Sequence, residues 1–134
     1  MPECRVVPRT VVLVEDDGDV RASMAWMLEG HGFTVEAFGH PADFLLSPPP
    51  PAPCCVVLDL RLPEVSGIEV LCRMRARGDA TPVILVTGHG DPKAEADARD
   101  QGAFDFLEKP FNEARLVDCL GAAMRAAGQG GTGA

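Results

Sequence analysis

Five short apolar runs alternate with stretches of helical periodicity along this chain. The runs fall at residues 10–14, 34–37, 55–58, 83–86 and 103–107. Four of them lead directly into polar or charged residues: Val11-Val12-Leu13-Val14 into Glu15-Asp16-Asp17, Val56-Val57-Leu58 into Asp59, Leu85-Val86 into Thr87-Gly88, and Phe106-Leu107 into Glu108-Lys109-Pro110. Continuous Val, Ile and Leu, without alternation, reads as strand buried on both faces, the pattern of a parallel sheet covered by helices. Val20, Met24, Met27 and Leu28 recur at helical spacing before Gly30-His31-Gly32 stops the first helix. A short helix follows from Pro41 to about Leu46, and Ser66-Gly67 starts a third whose buried stripe is Val70, Leu71 and Met74, with Gly78 as terminator. A fourth covers residues 92–101, and Asn112 caps a fifth with Leu116, Val117, Leu120 and Met124 on one face. This alternation predicts βα units with right-handed crossovers, hence an α/β fold.

Three segments depart from the regular pattern. The fourth helix offers Ala94, Ala96 and Ala98 but no large apolar side chain, so it is expected to be the least firmly docked of the five. The run Pro48-Pro49-Pro50-Pro51-Ala52-Pro53 reads as a stiff loop between the second helix and the third strand, since proline cannot donate to a ladder. A proline-rich ligand for an SH3-like module is the weaker reading, because the run lies inside the domain. Residues 128–134 have linker composition and are expected to form a flexible tail or tether. The chain thus divides into an N-terminal extension (1–9), one domain (10–127) and that tail (128–134).

Composition narrows the classes of function. At 134 residues, 46% apolar and 24% charged, the chain is long enough to bury a core without disulfides or metals as staples. A formal net charge of −8 argues against direct nucleic-acid binding by this segment. Cys4, Cys54, Cys55, Cys72 and Cys119 are odd in number and lack C-x-x-C spacing, so neither a disulfide framework nor a zinc site is indicated. Nothing approaches the apolar length of a membrane span, and residues 1–9 lack the apolar region of a signal peptide, so a soluble, cytoplasmic protein is expected.

In open parallel sheets, ligands sit beyond the carboxyl ends of the strands, so the topology gathers Glu15, Asp16, Asp59, Thr87 and Lys109 on one rim. Clustered carboxylates repel and raise one another's pKa unless a cation compensates, and a hard divalent ion such as Mg²⁺ (or Mn²⁺) suits oxygen ligands. A carboxylate beside such an ion is a nucleophile for phosphoryl transfer, with the ammonium and hydroxyl neutralising the transferred group. Each acid alone could simply start a helix. Their joint occurrence at four strand ends favours the chemical reading. An aspartyl phosphatase of the haloacid-dehalogenase type would need a second Asp two residues after the nucleophile, and here Leu60-Arg61 follows Asp59.

The segments Val14-Glu15-Asp16-Asp17, Leu58-Asp59-Leu60-Arg61-Leu62-Pro63, Thr87-Gly88-His89-Gly90-Asp91 and Phe104-Asp105-Phe106-Leu107-Glu108-Lys109-Pro110-Phe111 jointly resemble the receiver domains of two-component response regulators. The wording of the last two is most similar to FixJ-like transcriptional regulators. The resemblance implies a CheY-like, doubly wound (βα)5 fold with a five-stranded parallel sheet in the order 2-1-3-4-5. It implies that Asp59 accepts a phosphoryl group from a sensor histidine kinase or histidine phosphotransfer protein. It also implies that Asp16 binds Mg²⁺ directly, Glu15 mostly through water, and Arg61 by its main-chain carbonyl. Thr87 and Lys109 would hold phosphate oxygens, with a cis bond before Pro110. Phe106 would be a switch aromatic that turns inward, small Gly88 leaving room for the movement. Arg61 and His89 flank the expected path of hydrolytic water and are candidates for tuning the phosphoryl lifetime. The family's usual partner or homodimer face is the surface of the fourth helix, fifth strand and fifth helix.

The resemblance further implies a phosphoacceptor switch rather than a conventional enzyme, with only self-directed phosphotransfer and autodephosphorylation. The alternatives are a phosphorylation-independent pseudo-receiver and the receiver part of a hybrid histidine kinase. The chain departs from the common pattern at Glu15, where Asp is more frequent, and at Gly18, where proline is common. It departs again in the fourth helix, where Ala96 and Arg99 replace the usual Val and Met.

Overall fold

The computed structural model describes residues 9–51, 53–62, 64–88 and 92–133, with side chains of the last helix described as far as residue 127. The elements are β1 (Thr10–Val14), α1 (Gly18–Gly30), β2 (Thr34–Phe38), α2 (Pro41–Leu46), β3 (Cys54–Asp59), α3 (Gly67–Ala76), β4 (Val83–Thr87), α4 (Pro92–Asp100), β5 (Asp105–Glu108) and α5 (Glu113–Gly133). The strands form one parallel sheet in the order β2-β1-β3-β4-β5, so the chain has the expected doubly wound topology.

Every residue of β1, β3 and β4 is buried, as their unbroken apolar runs require. Because successive side chains point to opposite faces, each strand feeds two cores. Val11, Leu13, Cys55, Val57, Ile84 and Val86 pack with Met24 and Leu28 of α1 and Leu116 and Leu120 of α5. Val12, Val56, Leu58 and Leu85 pack on the other side with Phe44 of α2 and Val70, Leu71 and Met74 of α3. Cys54 and Cys55 are small members of these cores, and burial pushes the Cys54 thiol up to about 12.

One expectation needs correcting. The fifth strand begins at Asp105, not at residue 103. Ala103 and Phe104 look like strand, but the Ala103 N–H is spent on Ala98 O (2.9 Å), closing the end of α4 after Gly102 at φ +94°. Phe104 N–H then donates to Val83 O (2.7 Å), which seats the incoming strand. The fifth helix runs as far as Gly133.

In α4 the buried residue is Ala98, and little other apolar surface meets the sheet. The amides of α4 are therefore expected to exchange at least about tenfold faster than those of α3, an opening cheaper by about 1.4 kcal/mol. Uniformly strong protection across α4 in a native-state hydrogen-exchange experiment would contradict this.

The α3–β4 turn is held by Asp79, whose Oδ1 accepts from the Thr81 N–H (3.0 Å) and hydroxyl (2.6 Å), with Arg77 Nη2 at 3.6 Å from Oδ2. Burial raises the Asp79 pKa, but these donors outweigh it and hold the carboxyl below its usual 3.8. The stabilisation is therefore present above about pH 4 and lost as pH falls through the lowered folded value. Asp79→Asn is expected to cost about 1–2 kcal/mol at pH 7. Urea titrations at pH 7 and pH 3 should show the difference from wild type narrowing at the lower pH.

Candidate functional site

The central strands β1 and β3 run in register, Val14 beside Leu58, so Glu15 just past one and Asp59 at the end of the other emerge side by side. β4 brings Thr87 to the same rim, and β5 lies beside it with Thr87 opposite Glu108. The Lys109 N–H donates to Thr87 O (2.6 Å), and the Lys109-Pro110 bond is cis. Lys109 therefore sits over the acids: its Nζ is 3.4 Å from Glu15 Oε1 and 3.4 Å from Asp59 Oδ2.

The remaining oxygen of each acid is held by the main chain. Asp59 Oδ1 accepts from the Arg61 N–H (3.0 Å), and Glu15 Oε2 from the Asp17 N–H (3.2 Å). Glu15 is 3% and Asp59 8% exposed, while Asp16 stands in solvent. One ligand oxygen from each of Glu15, Asp16 and Asp59 lies within 4.8 Å of the others. Burial, then the neighbouring Asp59 charge, raises the Glu15 pKa, against the pull of the Asp17 N–H and Lys109. Burial lowers the Lys109 pKa, but Asp59 and then Glu15 more than reverse this, and the ammonium is retained.

Three carboxylates against one ammonium leave excess negative charge at a partly dry site, and the donors are all hard oxygens. Mg²⁺ holds oxygens at about 2.1 Å, so ligands on opposite sides of the ion stand roughly 4.2 Å apart. The three oxygens all lie within 4.8 Å of one another, close enough to converge on one such ion.

Of the other expected site residues, Thr87 is fully buried, and a Cβ added at Gly88 would meet nothing within 4 Å. Arg61 is exposed and bridges antiparallel to Ser66. Phe106 is buried, in the core cluster that also holds Leu85 and Ala98. His89 lies outside the described residues.

Two further residues at the site were missed by the sequence reading. Gly67, read only as a helix start, packs against the Asp59 main chain: a Cβ there would lie 2.5 Å from Asp59 O. Arg21 of α1 donates through Nη1 to Glu15 O (2.9 Å) and reaches Asp16 O (3.4 Å). A signal existed for the second, because a cation near a helix N-terminus opposes the helix dipole and so calls for another partner.

The acid rim lies at the carboxyl ends of a parallel α/β sheet, and a groove of about 970 Å³ lies elsewhere, lined by residues such as Leu45, Pro53, Pro82 and Met124. Residues 11–121 match the model of the response regulator receiver domain, and the chain belongs to that family. It is 41% identical over 121 residues to the transcriptional regulatory protein FixJ of Azorhizobium caulinodans, covering 90% of this chain and 57% of that protein. It is 34% identical to the response regulator protein TodT of Pseudomonas putida, covering 89% of this chain and 52% of the relative. The chain therefore spans just over half the length of these curated relatives. Among solved structures, FixJ-N superposes with a TM-score of 0.83 at 35% identity, over 90% of this chain and 96% of that one. The BeF3-activated DrrB receiver domain superposes with a TM-score of 0.77 at 28% identity, over 89% of this chain and 99% of the other.

Proposed function

We propose that this chain is a phosphorylation-controlled switch in which Asp59 accepts a phosphoryl group from the phosphohistidine of a sensor histidine kinase or histidine phosphotransfer protein. The observation that carries the reading is the convergence of the Glu15, Asp16 and Asp59 oxygens with Lys109 Nζ at 3.4 Å from two of them. A carboxylate oxygen of Asp59 forms the new P–O bond as the P–N bond of the donor breaks, and the imidazole leaves with the electron pair. Lys109 and the Thr87 hydroxyl neutralise the oxygens of the transferred group, while the Arg61 N–H keeps the Asp59 carboxylate oriented. A Mg²⁺ or Mn²⁺ ion held by Asp16, Asp59, Glu15 and the Arg61 carbonyl would supply further charge neutralisation. The chain then acts on itself, by phosphotransfer and autodephosphorylation, and turns over no separate substrate; Arg61 and His89 would tune the phosphoryl lifetime.

The output face in this reading is α4–β5–α5, where Arg99 ties Glu95 (3.0 Å) and Asp105 (3.3 Å) together across α4 and β5. Weak docking of α4 suits it to move when Asp59 is modified. A homodimer or an output domain or partner engaging this face, in control of transcription in the cytoplasm, accords with the likeness to FixJ and TodT.

The test is intact-mass spectrometry after incubation with acetyl phosphate and Mg²⁺. One labile phosphoryl adduct, absent when EDTA is added, is the expected outcome. No adduct, together with failure to bind beryllofluoride, would overturn the reading in favour of a phosphorylation-independent binding module.

A further inference from the structure

We propose that Arg21 is a positioning residue for the metal site and that Gly39 lacks a side chain in order to seat it. The inference rests on the reading of Glu15, Asp16 and Asp59 as metal ligands. Arg21 directs its hydrogen bonds to the main-chain carbonyls of the two residues that carry the acids, Glu15 O at 2.9 Å and Asp16 O at 3.4 Å. These peptides lie between the end of β1 and the start of α1, past the strand's last residue and before the Asp17 cap. Fixing their planes fixes the direction in which the Glu15 and Asp16 side chains leave the main chain. Residues that orient metal ligands in this way typically contribute 10- to 100-fold to affinity.

Gly39, from a distant part of the sequence, completes the arrangement. A Cβ at Gly39 would stand 2.8 Å from Arg21 Nη1 and 3.3 Å from Cζ, so the guanidinium occupies the place of the missing side chain. Backbone conformation does not explain this glycine, since the positive-φ glycines of the described residues are Gly32, Gly78 and Gly102. The neighbouring Phe38 O accepts from the Glu15 N–H (3.1 Å), so the end of β2 and Arg21 hold the two peptides on either side of the Glu15 Cα.

The sign of the effect separates positioning from simple charge. A guanidinium acting only by Coulomb repulsion would weaken cation binding, and its removal would tighten the site. One acting by positioning strengthens binding, and its removal loosens the site.

Mn²⁺ binding to the full chain, followed by electron paramagnetic resonance without phosphodonor, reads this directly. Arg21→Ala is expected to raise the Mn²⁺ Kd about tenfold. Gly39→Ala, which displaces the guanidinium while keeping its charge, should give a similar loss, and the double variant should be no weaker than either single one. Arg21→Lys, with the charge but not the fork, should recover part of the loss. Arg73→Ala, which breaks an exposed pair with Glu69 on α3, should leave the affinity unchanged. Thermal melts verify that each variant is folded. Unchanged or tighter Mn²⁺ binding in folded Arg21→Ala, or wild-type affinity in Gly39→Ala, overturns the proposal while wild-type binding stands. No Mn²⁺ binding by the wild-type chain would instead remove the metal-site reading beneath it.

Discussion

Asp59→Asn will abolish the phosphoryl adduct, lowering the fraction modified by acetyl phosphate more than about 100-fold, and will leave the fold intact. The first part follows from chemistry: an amide oxygen is a poor nucleophile, and no other described carboxylate has the same setting. Glu15 is the nearest competitor, but one of its oxygens is bound by the Asp17 N–H and its pKa is raised by burial. Asp16 stands exposed in solvent. The second part follows from electrostatics. Lys109 Nζ is 3.4 Å from both Glu15 and Asp59, so neutralising one acid still leaves the ammonium a partner and relieves repulsion between the two carboxylates. In EDTA the thermal midpoint of Asp59→Asn should equal or exceed that of the wild type. Mn²⁺ binding should weaken as well, since one of three converging oxygens loses its charge. Adduct at wild-type level on the variant, with peptide mapping to another residue, would move the acceptor away from Asp59.

What could be read from the chain depended on the range of the interactions involved. β1, β3 and β4 were legible because strands covered on both faces must be apolar throughout. The acids and Lys109 were legible because parallel topology carries every strand's end to one rim, so chemistry follows from order alone. The start of β5 was misplaced because the apolar run reaches back through Phe104 to Ala103, while their N–H groups are spent on Val83 and Ala98. Gly39 and Gly67 carried no readable reason at all. Neither has a positive φ, and each is explained by atoms brought to it by the fold: Arg21 in one case and the Asp59 carbonyl in the other.

Gly67→Ala should lower stability by about 2–3 kcal/mol, the cost of forcing a methyl group into a fully packed place. For a domain of this size the thermal midpoint would fall by roughly 5–12 °C. The new Cβ would sit 2.5 Å from Asp59 O, 2.9 Å from Leu85 Cδ2 and 3.1 Å from Leu60 Cα. Leu85 can turn aside, but two of the three atoms are main chain. They are also pinned: the Gly67 N–H donates to Leu60 O (2.8 Å), and the Leu60 N–H donates to Val86 O (2.8 Å). Relief therefore requires α3 to back away from the sheet or the end of β3 to shift, and the second movement carries Asp59 with it. Phosphorylation by acetyl phosphate should fall at least about tenfold even at temperatures where the variant remains folded, since small misplacements of a reacting group are costly. Gly88→Ala is the matched comparison, because its Cβ would enter open space. It should leave the unfolding free energy within about 0.5 kcal/mol of wild type, as ordinary surface changes do. Equal melting temperatures for Gly67→Ala and Gly88→Ala would mean that the β3–α3 junction is far more pliant than its hydrogen bonds imply.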